Sequence, residues 1–143
     1  MPRLALVNIL IGFVTLFFAA CAGSFISVEM TKGFVHDPML LNSWQLTLMR
    51  SAHGHTNLFA IIHVIMGLTL PYSTLSLRVK RWQTFGLLLG TLAMSIGMMF
   101  RSWGIPNEGL DAGQVIVGVM LSCALAAMGV HAVGIGKKLV MRT

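Results

Sequence analysis

The chain has 143 residues and a formal charge of +6; 56% of it is hydrophobic and only 10% charged. A water-soluble domain carries about 25% charged residues, so this composition excludes a water-facing globule and places most of the surface in lipid. The length allows one domain. The basic residues flank apolar segments instead of forming a stripe interleaved with aromatics, so they read as topology signals and lipid-headgroup contacts and not as a nucleic-acid interface.

The first apolar run is Leu4–Val28, long enough to cross a bilayer. Its start resembles a signal peptide ending at Ala19-Ala20-Cys21, but Phe18 suits that cleavage box poorly, and the segment is expected to stay as a span. Glu29–Arg50 is the longest polar connection. Within it Asp37-Pro38 reads as a cap with Pro at the first helical position. Leu41, Trp44 and Leu48 follow on one helical face, which predicts a short amphipathic helix on the membrane surface.

The second span is expected over 51–72, closing at Pro71-Tyr72. The third is expected over 85–100, between Trp82 and Trp103 as interfacial anchors, and the fourth over 112–135. Gly86 and Gly90, and the Gly118, Ser122, Ala126 series, are small-xxx-small patterns that let helices pack closely in lipid. Cys21 and Cys123 lie in apolar runs and read as small packing residues, not as a disulfide. The fold class expected is all-α, a four-helix membrane bundle.

Charge sets the expected orientation. One side holds Arg3, Arg78, Lys80, Arg81, Lys137, Lys138 and Arg142. The other holds Lys32, Arg50 and Arg101 with all four acids, Glu29, Asp37, Glu108 and Asp111. The positive-inside rule then puts both termini in the cytoplasm, and a bacterial inner membrane is the expected location.

Five histidines in so apolar a chain are the main functional signal, because ionisable groups within a span are costly. His53 and His55 stand at the outer end of span two, ~200° apart on an unbroken helix, so one points into the bundle and the other elsewhere. His63 follows His55 by ~12 Å along the axis and ~80° around it. An outer site would use His55 or His53, with His36 beside them as a metal ligand, and with Arg50 and Arg101 neutralising haem propionates. An inner site would pair His63 with His131, and depth counts made from the two membrane boundaries leave that pairing open. The methionines, Met94 and Met98 among them, read as core filler. No nucleophile arrangement, phosphate loop or paired-carboxylate site is present.

Arg50 through Gly67, with His55-Thr56-Asn57-Leu58 and then Pro71, resembles the second helix of the catalytic subunits of haem–copper oxidases and nitric oxide reductases. The resemblance implies that His55 ligates a low-spin haem. The later helices that carry the family's other haem ligand and copper histidines are missing, so the resemblance does not extend to oxygen or nitric oxide reduction. A second ligand would come from another chain or from His131. The four-span glutathione and eicosanoid enzymes share His55-x-Asn57, but Ala60 stands where their glutamate is expected.

The favoured expectation is a small electron-transfer subunit binding haem b, or copper or zinc in its place, and linked to quinone. Its size suggests a homo-oligomer or a larger membrane complex. The alternatives are a non-catalytic accessory or assembly subunit, and a small transporter or pore lined by Asn8, Thr15, Asn57, Thr69 and His63.

Overall fold

The computed structural model describes residues 1–106 and 109–141, and among these there are helices and no strands. Four helices are long and apolar enough to cross a membrane: α1 (Arg3–His36), α2 (Trp44–Thr69), α3 (Leu77–Ser102) and α4 (Ala112–Val140). Short 3₁₀ turns cover Pro38–Asn42 and Leu70–Tyr72.

Two boundaries differ from the sequence expectation. Helix α1 runs through the first part of the expected polar connection, where Lys32 and Glu29, one turn apart, form an ion pair at 2.7 Å. Its 34 residues span roughly 50 Å at ~1.5 Å each, so it overshoots a ~30 Å hydrocarbon layer. The expected amphipathic helix is instead a 3₁₀ turn followed by a break. Asp37 caps that turn by accepting from the Met39 amide at 3.1 Å. Ser43 then turns extended and its hydroxyl accepts from the Leu46 amide at 3.2 Å, so a second cap starts α2 and puts Leu41 and Trp44 on different elements.

Glycines set how closely the helices meet. A Cβ on Gly12 would sit 2.7 Å from the Ala60 carbonyl oxygen, and one on Gly67 2.6 Å from that of Ala5, so α1 and α2 run antiparallel in backbone contact. Gly86 meets the Cys123 carbonyl at 2.9 Å, and Gly90 meets Ala124 and Phe59. Each helix is therefore antiparallel to the next, and the start of α1 and the end of α4 lie at one end. Only the Gly86/Gly90 half of the small-residue pattern is used inside the bundle, because Gly118 has open space beside it and Ser122 and Ala126 are exposed. The core gathers Phe59, Met66, Leu70, Leu87, Met94 and Ala124. Phe13, Phe17, Phe18, Ile61 and Phe85 are exposed in the outer belt, as lipid contact requires. Cys21 and Cys123 are free and exposed on that same belt.

Helix α3 carries one irregularity, a π-helical turn over Ala93–Gly97. Trp82 and Trp103 are both exposed near its ends, and 21 residues at ~1.5 Å put them about 31 Å apart, the thickness of a bilayer core. At the loop end Arg101 holds both oxygens of Asp111 at 3.0 Å. Asp111 also caps α4, accepting from the Gln114 amide at 2.7 Å while the Gln114 side chain accepts from the Asp111 amide at 3.2 Å. The Gln114 amide first, and then the guanidinium, hold the Asp111 carboxyl below the usual carboxylate range.

Candidate functional site

The deepest polar group is His63, fully buried on α2. Its Nδ1 lies 3.1 Å from Oδ1 of Asn8 on α1, another fully buried residue. The Asn8 amide nitrogen donates to the Leu4 carbonyl at 3.0 Å and to Thr84 Oγ1 on α3 at 2.8 Å. Both amide hydrogens are thus engaged, which leaves Oδ1 as the acceptor and assigns the His63 proton to Nδ1. His63 Nε2 is then a bare, buried lone pair with no partner. This set ties three helices together. Burying a polar group is costly unless it is hydrogen-bonded, and the three residues supply one another at every contact except His63 Nε2.

His131, on α4, has a different partner. Its Nε2 lies 2.8 Å from Thr69 Oγ1, whose hydroxyl hydrogen goes to the Ile65 carbonyl at 2.7 Å. His131 therefore donates through Nε2, and its Nδ1 is buried without a partner. His63 and His131 are held by separate side chains, with Thr69 six residues beyond His63 on α2.

At the loop end, His53 is half-buried and packs its ring on Gly23 of α1, where a Cβ would come 2.6 Å from the imidazole Cε1. Asn57 Nδ2 donates to the His53 carbonyl at 3.1 Å and lies 3.2 Å from Nε2, so Nε2 accepts and Nδ1–H is buried without an acceptor. His53 lines two clefts. One, of about 660 Å³, lies against α1 and includes Met30, Phe34 and Arg50. The other, of about 440 Å³, opens between α1, α2 and α3 and is lined by Thr15, Ser95, Met99, Phe100 and Trp103.

His55 faces the other way. It is exposed, with Nδ1 2.8 Å from the Ser51 carbonyl oxygen, so Nδ1 donates and Nε2 points away from the bundle with no protein partner. Arg50 and His53 are three residues apart and share a helix face, whereas Arg50 and His55 are ~140° apart around the axis. Arg101 is taken by Asp111. His36 is exposed at the end of α1 and lines neither cleft. Of the residues singled out for the outer site, His53 and Arg50 line one cleft, and of those singled out deeper in the spans, Asn8 bonds His63 and Thr69 bonds His131. Among the described residues, no three of His, Cys, Asp or Glu converge as a metal site would need.

The cleft of about 660 Å³ brings one imidazole, one free guanidinium and the Met30 thioether to a single space, side chains of the kinds that can hold a haem. The buried partners Asn8 and Thr84 lie 55 and 21 residues from His63, and no local pattern links them. The sequence signal is Asn8, an amide in a mostly apolar run, which the pore reading places on one polar path with His63. No family model, curated protein or solved structure matches the chain.

Proposed function

We propose that the chain is a membrane-embedded electron-transfer subunit that seats haem b between α1 and α2 at the loop end. His53 is the iron ligand and Arg50 the partner of a propionate. The supporting observation is that His53 and Arg50 line one cleft of about 660 Å³. Bound haem supplies one-electron chemistry, and the protein supplies position and electrostatics. Gly23 makes room for the imidazole, and Asn57 orients it from the next turn. The Nε2 lone pair that Asn57 faces would be the one to hold iron, with the His53 carbonyl left as the Asn57 partner.

A second reading rests on His55. With Nδ1–H donated to the Ser51 carbonyl, His55 Nε2 is left as an exposed lone pair that would hold haem iron, and that haem would be shared with another chain. The likeness to the oxidase helix singles out the same residue. Membership of a larger complex, with quinone as a redox partner, belongs to this reading.

Oxidised and reduced absorption spectra of protein purified in mild detergent with haem supplied test both readings. The cleft reading expects a sharp reduced band that is lost in His53→Ala and kept in His55→Ala. The reverse pattern moves the haem to the outward face. No haem in the wild type overturns electron transfer and leaves an accessory subunit whose spans only pack.

A further inference from the structure

The end of the bundle that carries the termini has a surface feature that the histidine sites do not use. Arg78 and Arg81 are exposed at the start of α3, and neither guanidinium has a protein hydrogen bond or ion pair. Among the described residues, the acids Glu29, Asp37 and Asp111 all lie at the opposite end. Arg78, Arg81, Trp82 and Phe85 follow i, i+3, i+4, i+7 and form one stripe. They line a groove of about 550 Å³, and the Trp82 and Phe85 rings meet edge to face at 5.9 Å.

Trp82 and Phe85 also line a second groove of about 330 Å³, which runs on between α3 and α4 past Gly86, Leu89 and Ala126. The basic groove and the apolar groove therefore adjoin at Trp82 and Phe85. Gln83 lines the apolar part, is 2% exposed, and has neither amide atom satisfied. It stands ~7.5 Å along the axis from Arg78, on the way from the basic rim into the apolar groove. A buried amide without partners is costly, so a ligand that offers acceptors at that depth is favoured.

We propose that these adjoining grooves together bind one anionic glycerophospholipid. The phosphate sits on Arg78 and Arg81, whose planar guanidiniums suit a phosphate oxygen pair. The ester carbonyls accept from Gln83, and an acyl chain lies along Trp82, Phe85 and the Gly86–Ala126 floor. Charge selects this occupant over a second copy of the chain, because the groove's basic rim would meet an identical basic rim.

Native mass spectrometry of the full chain, titrated with phosphatidylglycerol and with phosphatidylcholine in detergent, tests the site. One phosphatidylglycerol is expected to bind tightly and phosphatidylcholine weakly. Arg78→Gln with Arg81→Gln should weaken binding about thirtyfold, at roughly one kcal/mol per basic contact. Lys137→Gln with Lys138→Gln, the same charge removed from α4, should change it less than threefold. Ala126→Leu keeps every charge and should still weaken binding by filling the apolar floor, and glycerol phosphate at the same concentration should not compete. Equal losses in the two charge pairs would show diffuse attraction and overturn the site. Full competition by glycerol phosphate, or unaltered binding in Ala126→Leu, would overturn the acyl seat.

Discussion

The two ends of this bundle solve different problems. At the loop end the chain balances its own charge: Lys32 takes Glu29, and Arg101 takes both oxygens of Asp111. The same end leaves space, with two clefts meeting at His53 and open room beside Gly54. At the terminus end the backbones close on each other through Gly67 and Ala5, and Gly134 sits against Ser73 and Leu75. There the cations have no acid among the described residues; Lys80 donates to the Ser73 carbonyl and Lys138 lies over the Tyr72 ring. One end is loose between α1 and α2 and neutralised, and the other is tight between those helices, with its grooves on the outer face of α3 beside unmatched charge. The first is suited to admit a ligand, the second to sit on an anionic lipid surface.

The largest effects should come from changing how tight each end is. Gly67→Ala drives a methyl into the Ala5 carbonyl and Ile9, and should cost about 1–3 kcal/mol of stability in thermal or denaturant unfolding. Gly54→Ala meets nothing within 4 Å and should gain up to ~1 kcal/mol from helix propensity. If the two substitutions shift stability in the same direction, the contrast in packing is wrong. Between the ends, Asn8→Leu leaves the His63 and Thr84 groups without their partner and should cost about 1–2 kcal/mol, measured in the same way.

The smallest effect concerns the ion pair at the loop end. The folded state holds the Asp111 carboxyl low, so its contribution is complete above the ordinary carboxylate value and fades as pH falls through the lowered one. The wild type should therefore lose melting temperature on acidification slightly more than Asp111→Asn does, and added salt should shrink the difference. Parallel acid profiles for the two proteins would remove this role.

The four spans were legible because the lipid solvent forces long apolar runs, and length alone identifies them. The split between positions 53 and 55 follows from ~100° per residue, which sends His55 outward when His53 turns in. The end of α1 was misread because Glu29–Lys32 looks like loop by polarity, yet its spacing lets the charges pair along a helix. The surface helix failed at Ser43, where a hydroxyl cap outweighed the apolar periodicity around it. Asn8 as the partner of His63 was hidden because the contact joins two helices, and a single sequence does not state which faces meet. For the same reason the sequence offers Arg101 to a haem propionate, whereas Asp111, ten residues on, holds it.

The π-turn over Ala93–Gly97 also has a consequence for how the chain tolerates changes in length. Such a turn holds one residue more than regular helix, and that extra residue rotates everything after it by ~100°. The two parts of α3 are thus out of phase: one presents Gly86 and Gly90 to α4, and the other presents Arg101 to Asp111. A one-residue deletion within the turn would restore unbroken helix without a loop to absorb it. Arg101 would then swing away from its acid while the glycine seam stayed in place. The irregularity works as a phase-setter: its surplus residue fixes the angle between the buried seam below and the clamp above.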